Sequence, residues 1–173
     1  MIQAHMIEAE IPHLRRYARS LLRGHRESAD DLVQDTLERA WSKRWLWRPS
    51  GRLRSWLFRI LYRLYLDRMP VVTAAHGNLI ALDAIREPVC GRARPDSTLH
   101  CRDVLDAIDA LPDTQRAVLL LVAVEQPSYS EGAAMLGIRV GTYRSRLSRA
   151  REMLGERLEL RPSPLSAKEG QHG

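Results

Sequence analysis

Apolar side chains recur along this chain at steps of three and four, the spacing of one helix face, and the pattern predicts an all-α fold. The first helix is expected from about Ile7 to Arg23, with Ile11, Leu14, Tyr17, Ala18, Leu21 and Leu22 inward, Arg15, Arg16 and Arg19 on the other side, and Gly24 as its stop. The second begins near Ser28, a side chain able to cap, and Asp30 and Asp31 suit the positive end of its dipole. Its buried stripe is Leu32, Val33, Thr36, Leu37, Ala40 and Trp41, and its opposite face carries Asp31, Gln34, Asp35, Glu38 and Arg39. A loop from Trp45 to Arg52 contains the turn residues Pro49, Ser50 and Gly51. The third helix is expected over Leu53–Met69 and ends at Pro70, with Leu53, Trp56, Leu57, Ile60, Leu61 and Leu64 as its core face. A second stripe on it, Phe58, Tyr62 and Tyr65, is interleaved with Arg59 and Arg63. Two readings of that stripe stand: aromatic filler under the first helix, or a platform on which single-stranded bases stack.

Periodicity fails between Pro70 and His100, where prolines and glycines collect, and that segment reads as a linker, with one or two helical turns at NLIALDAI. It resumes in a helix over Asp103–Leu111, then in one opened by Pro112 and Asp113, whose run from Ala117 to Val124 is too continuously apolar for a surface helix. Ser128 followed three residues later by Glu131 fits a capping box, and Gly137 tolerates the left-handed conformation of a helix stop. Another helix starts near Gly141 and Thr142, with Tyr143, Leu147, Ala150, Leu154 and Leu158 on one face. From Arg139 to Arg151 there are five arginines and no carboxylate. A short helix, a glycine turn and a second helix with an arginine-rich front suit a helix-turn-helix, against the alternative of an ordinary helix pair with a solvated basic face. Gly132, inside the first of these helices, is expected to cost about 1 kcal/mol relative to Ala if exposed. The organisation is therefore two small helical domains, 1–69 and 103–160, a flexible linker at 70–102, and a disordered tail at 161–173.

Charge sharpens the picture. The net charge is +6 and the pI about 9.9, a balance that favours an anionic partner such as nucleic acid. It is unevenly placed: net +6 over 1–69, +1 over 70–102 and −1 over 103–173, so the C-terminal third is basic only along its last helix. The N-terminal residues lack the pattern of an export signal, and the longest apolar run is far below the roughly 20 residues of a membrane helix, so a cytoplasmic protein without membrane insertion is expected. Cys90 and Cys101 make no disulfide framework, and with His76 and His100 they match no standard metal-site spacing. No phosphate-binding glycine loop, HExxH or nucleophile elbow is present, and no catalytic residue, cofactor or metal is assigned.

The segments ADDLVQDTLERAW, LRSWLFRILYRLYLD, LPDTQRAVLLLV and VGTYRSRLSRAR, in that order and at this separation, resemble the bacterial sigma-70 family, in particular its group IV, the extracytoplasmic-function (ECF) sigma factors. The resemblance implies sigma regions 2 and 4 joined by a linker, and a protein that directs core RNA polymerase to promoters without itself being an enzyme. It implies that Asp31, Leu32, Gln34, Asp35 and Glu38 dock on the coiled coil of the largest polymerase subunit. Trp45, Trp47, Arg48, Arg52, Arg59, Tyr62 and Arg63 would hold the opened −10 strand. Thr142, Arg144, Ser145, Arg146 and Arg149 would enter the major groove at −35. Implied partners are core polymerase, through its β′ coiled coil and β flap, promoter DNA and an anti-sigma factor. Family members commonly carry Asn where this chain has Arg52 and Arg63. Two other functions fit the residues less fully: a stand-alone helix-turn-helix regulator, and a sigma-like adaptor that binds only a protein partner.

Overall fold

Pro12 decides how the N-terminal apolar stripe is cut. The computed structural model describes residues 3–47, 52–75 and 95–159. In place of one helix from Ile7 there are two, α1 (Ala4–Glu8) and α2 (Ile11–Leu21), with Pro12 in the first turn of α2, where its missing N–H has no partner to lose. Next come α3 (Arg26–Ser42), a 3₁₀ turn (Arg44–Leu46) and α4 (Leu53–Ala75), then α5 (Pro95–Asp109), α6 (Asp113–Glu125), α7 (Tyr129–Leu136) and α8 (Val140–Glu159).

Three boundaries differ from the sequence pattern. Ser28 lies inside α3, whose N-cap residue, His25, makes no side-chain capping bond to the helix. The third helix does not stop at Pro70 but runs to Ala75: a proline removes one ladder hydrogen bond without having to end the helix. The helix expected from Asp103 begins eight residues earlier, at Pro95, again a proline in a first turn. The expected turns within 78–85, Cys90 and the tail from 160 onward lie outside the described residues.

The two expected domains share one hydrophobic core. Leu14, Tyr17, Ala18 and Leu21 of α2, Leu32 and Val33 of α3, and Leu57, Phe58, Leu61, Tyr62 and Tyr65 of α4 form one buried cluster with Val118 and Leu121 of α6, Met135 and Leu136 of α7, and Tyr143 and Leu147 of α8. Helix α4 packs along α7, and α2 along α6. This resolves the aromatic stripe of α4 as filler: Tyr17 and Phe58 stack at 5.5 Å and Tyr62 and Tyr65 at 6.3 Å, all four rings being buried. Trp41 departs the other way. The periodicity puts it in the buried stripe of α3, yet it is 46% exposed, because the core ends with Ala40 and no element among the described residues covers the last turn.

The helix-turn-helix forms as its local signals dictate. Ser128 Oγ accepts from the Glu131 N–H at 3.3 Å and the Glu131 carboxylate accepts from the Ser128 N–H at 3.0 Å. Gly137 adopts φ +65° and closes α7. Gly132 is buried, and a Cβ there would overlap the Tyr143 ring, so this glycine is the residue that lets α7 and α8 approach, not an exposed helix weakness.

Candidate functional surfaces

The acidic face of α3 is displayed as its periodicity requires. Asp31, Gln34 and Glu38 are exposed, and Gln34 Nε2 donates to Glu38 Oε1 at 3.4 Å. Asp35 is half-buried and pairs with Arg68 of α4, which fixes its carboxylate and partly neutralises it. Leu32 does not belong to this surface. Its side chain is fully buried, since one residue beyond Asp31 on a helix turns by about 100° into the core. One and two turns further on, Trp41 and Trp45 extend the exposed stripe, with the Arg44 guanidinium 4.7 Å above the Trp41 ring.

Of the residues assigned to −10 DNA, Trp45 is 76% exposed, and its indole N–H donates to Ser42 O at 3.2 Å. Trp47 is half-buried, its indole N–H finding no acceptor among the described residues. Arg48 lies outside the described residues, and Arg63 is exposed. Arg52, Arg59 and Tyr62 point toward the C-terminal region instead. Arg52 pairs with Glu131 of the capping box, Arg59 Nε donates to Ala134 O of α7 at 3.0 Å, and Tyr62 is buried beside Arg146 of α8. Burial raises the Tyr62 pKa, and Arg146 opposes the rise. In this arrangement Tyr62 cannot stack on a base.

On α8 the apolar back holds and the polar front is open. Tyr143, Leu147 and Ala150 are buried, whereas Arg144, Ser145 and Arg149 are exposed and Thr142 and Arg146 half-exposed. Ser145 Oγ donates to Thr142 O at 3.0 Å. Arg144 lies over the ring of Tyr129, 5.4 Å from its centroid. Tyr129 begins α7 and is 45% exposed, and nothing in the periodicity singled it out, because the contact joins two helices across the turn.

Sequence reasoning also missed the polar contacts that join the two regions. Arg116, 2% exposed, donates to Ser20 O at 3.0 Å and Leu21 O at 2.8 Å, carbonyls of the last turn of α2, and lies 3.3 Å from Asp109. Tyr17 Oη donates to Ala117 O at 3.0 Å. Glu125, at the end of α6, gathers His13 and Arg16 of α2, each at 2.8 Å, and Arg54 of α4 at 3.6 Å. A signal for Glu125 existed in the sequence: a carboxylate directly after an apolar run, where a helix dipole disfavours it.

Among the described residues no three His, Cys, Asp or Glu side chains group as metal ligands, and no helix is long and apolar enough to cross a membrane.

Residues 7–62 match the sequence model for the sigma2 domain of PhyR, and residues 101–154 match that for sigma-70 region 4. The chain is 38% identical over 154 residues to the ECF RNA polymerase sigma factor EcfG of Rhodopseudomonas palustris strain TIE-1, covering 86% of this chain and 80% of that one. It is 32% identical over 145 residues to the ECF RNA polymerase sigma factor SigE of Mycolicibacterium smegmatis, covering 79% and 54%. Among solved structures it is similar to the sigma factor RpoE in complex with the anti-sigma factor NepR from Bartonella quintana, with TM-score 0.70, 29% identity and coverage of 91% and 97%. It is also similar to CnrH in complex with the cytosolic domain of CnrY, with TM-score 0.63, 27% identity and coverage of 91% and 88%.

Proposed function

Because this chain belongs to the ECF branch of the sigma-70 family, we propose a division of labour among its surfaces in promoter-directed transcription. As a sigma factor it binds core RNA polymerase and directs initiation at promoters, and the polymerase performs the chemistry. The exposed acidic stripe Asp31, Gln34 and Glu38, with the paired Asp35, docks on the polymerase coiled coil. Trp45, Trp47, Arg48, Arg52, Arg59, Tyr62 and Arg63 hold the opened −10 strand, for which Tyr62 must first leave the interface between the regions. Thr142, Arg144, Ser145, Arg146 and Arg149 enter the major groove at −35, and region 4 meets the β flap. An anti-sigma factor is the expected protein antagonist, since two similar structures are complexes of that kind or with a cytosolic partner domain.

The observation that carries this reading is the pairing of a capped helix-turn-helix with an acidic docking helix in one chain. A stand-alone regulator has no use for the second, and a pure adaptor has no use for the arginine front of α8. The test is run-off transcription by purified core polymerase, with and without the chain, on fragments of the genome that encodes it. Discrete transcripts that depend on the chain are expected. Identical products with and without it would rule the reading out.

A further inference from the structure

Glu125 sits at the wrong end of its helix for a carboxylate. The last turn of α6 carries partial negative charge, which an acidic side chain opposes. The side chain is also only 2% exposed. Everything that offsets these two penalties comes from the other region. His13 Nδ1 lies 2.8 Å from Oε2, Arg16 Nη2 donates to Oε1 at 2.8 Å, and Arg54 Nη1 is 3.6 Å from Oε2. Glu10 holds Arg54 from the far side at 2.6 Å, and Arg54 Nη2 and His13 Nε2 are 3.1 Å apart. Two carboxylates, two guanidinium groups and an imidazole thus form one network. All its members but Glu125 belong to the N-terminal region.

Such a network is a poor source of net stability and a strong discriminator between arrangements. A buried charge pair contributes little over an apolar substitute, but loss of one partner leaves the other buried and uncompensated. When the two regions separate, Glu125 returns to water and loses its partners together. The apolar part of the interface has no comparable all-or-none character.

The inference rests on the function proposed above, which requires the regions to part. The −10 and −35 elements are about 25 base pairs apart, roughly 85 Å at about 3.4 Å per step. In this structure Arg59 of region 2 is hydrogen-bonded to Ala134 in the first helix of the helix-turn-helix. A chain in this arrangement cannot reach both elements, and Tyr62 and Arg146 face each other in place of DNA. We propose that the Glu125 cluster is a latch that holds the free chain closed, and that its release precedes promoter binding. Docking on core polymerase supplies the free energy of opening by binding the separated regions at two places.

The test uses the full-length chain. Glu125→Gln removes the charge at the centre of the cluster, and the double variant Arg16→Ala/Arg54→Ala removes it from the opposite side. None of the three residues belongs to the proposed polymerase or DNA contacts. Small-angle scattering gives the radius of gyration, and fluorescence anisotropy gives the affinity for a short random-sequence DNA duplex. Both variants are expected to expand and to bind the duplex more tightly. If the native chain is closed in about nine molecules of ten, the gain is about tenfold. Unchanged radius and affinity in both variants would overturn the latch. So would expansion without tighter binding, or a loss of helix content in circular dichroism in place of expansion. Run-off transcription separates the two readings. Chain-dependent transcripts with unchanged latch variants defeat the latch alone, whereas no transcripts from the native chain defeat the functional reading on which it rests.

Discussion

The ring of Tyr143 stands where a Cβ at position 132 would have to go. Helix propensity alone favours Gly132→Ala by about 1 kcal/mol. The ring belongs to the core, however, and overpacking a filled core costs about 1–3 kcal/mol. Gly132→Ala is therefore expected to lower the melting temperature. In a Tyr143→Leu background the same change should stabilise, because the obstruction is gone. A thermal-melt cycle of the four proteins checks this, and additive effects would mean that the two residues do not compete for space.

Tyr143 also ties stability to alkaline pH. Burial, and then the neighbouring Tyr129 phenol, push its hydroxyl up to about 12, above the ordinary phenol value of about 10. Below pH 10 the folded and unfolded chains both hold the proton, and its stabilising effect is fully present. Between 10 and 12 the unfolded chain releases the proton while the folded one keeps it, so stability falls as pH rises through that window. Tyr17, Tyr62 and Tyr65 are raised by burial and act in the same direction. The Tyr143 hydroxyl finds no hydrogen-bond partner among the described residues, so Tyr143→Phe should gain up to about 1 kcal/mol at neutral pH. It should also lose less between pH 10 and 12. Equal alkaline losses in the two proteins, by urea denaturation, would mean that this hydroxyl is not held protonated.

What could be read from the chain before its structure was known follows the range of the forces involved. Ser128, Glu131 and Gly137 act within a few residues, and their capping box and left-handed stop were legible as local chemistry. The arginine front of α8 was legible because helical periodicity places it opposite Tyr143, Leu147 and Ala150. The fate of Tyr62 was not, because a ring on a second stripe is filler or platform depending on what lies over it, and here the C-terminal region does. Arg116 reads as an ordinary charge in the first turn of α6, and only the carbonyls ending α2, nearly a hundred residues away, explain its burial. Leu32 shares the docking motif with Asp31 and Gln34 in sequence, but its side chain faces the core.

The acidic stripe on α3, proposed to dock on core polymerase, makes a charge prediction. Asp31 and Glu38 are exposed and carry no internal ion pair among the described residues, whereas Asp35 is held by Arg68. Asp31→Arg/Glu38→Arg should weaken binding to core polymerase about tenfold, or about 1.4 kcal/mol, without lowering the melting temperature. The difference should shrink as salt is raised. Asp35→Arg should weaken binding and also destabilise the chain, because it sets two guanidinium groups against each other. A titration in which the double reversal binds core normally would remove this role from the stripe.

Arg144 is oriented by Tyr129, and specificity at −35 should depend on both. An arginine paired with guanine through two hydrogen bonds contributes roughly 1–3 kcal/mol of discrimination. A cation–π contact of this exposed kind contributes about 0.5–1 kcal/mol. Arg144→Ala should therefore relax selection at one base position, and Tyr129→Leu should relax the same position by less. Tyr129→Phe keeps the ring and should select as the native chain does. Selection of −35 duplexes from a randomised pool is the measurement. A loss from Tyr129→Phe equal to that from Tyr129→Leu would mean that the phenol contacts DNA and the ring positions nothing.

Strand opening makes the last prediction. Extracting a base from a duplex costs a few kcal/mol of pairing and stacking, which contacts with the protein must offset. Trp45 is the best placed aromatic side chain, exposed at the end of the acidic helix with its indole N–H already bonded to Ser42 and its ring free. Stacking of one base on an aromatic ring contributes about 1–3 kcal/mol by substitution, and it tolerates any base. Arg52 and Arg63 give this chain cations for phosphates, and no amide at either position to read a base edge. Opening the inter-region contact frees Arg52 from Glu131 and adds it to that set. The complex with core polymerase should accordingly bind single-stranded −10 oligonucleotides with steep salt dependence and modest base preference. Trp45→Ala should weaken that binding about tenfold or more without changing the base preference. Arg52→Asn should lower the salt dependence and sharpen the preference. Strong discrimination at one base by the native complex, retained in Arg52→Ala, would show that another group does the reading.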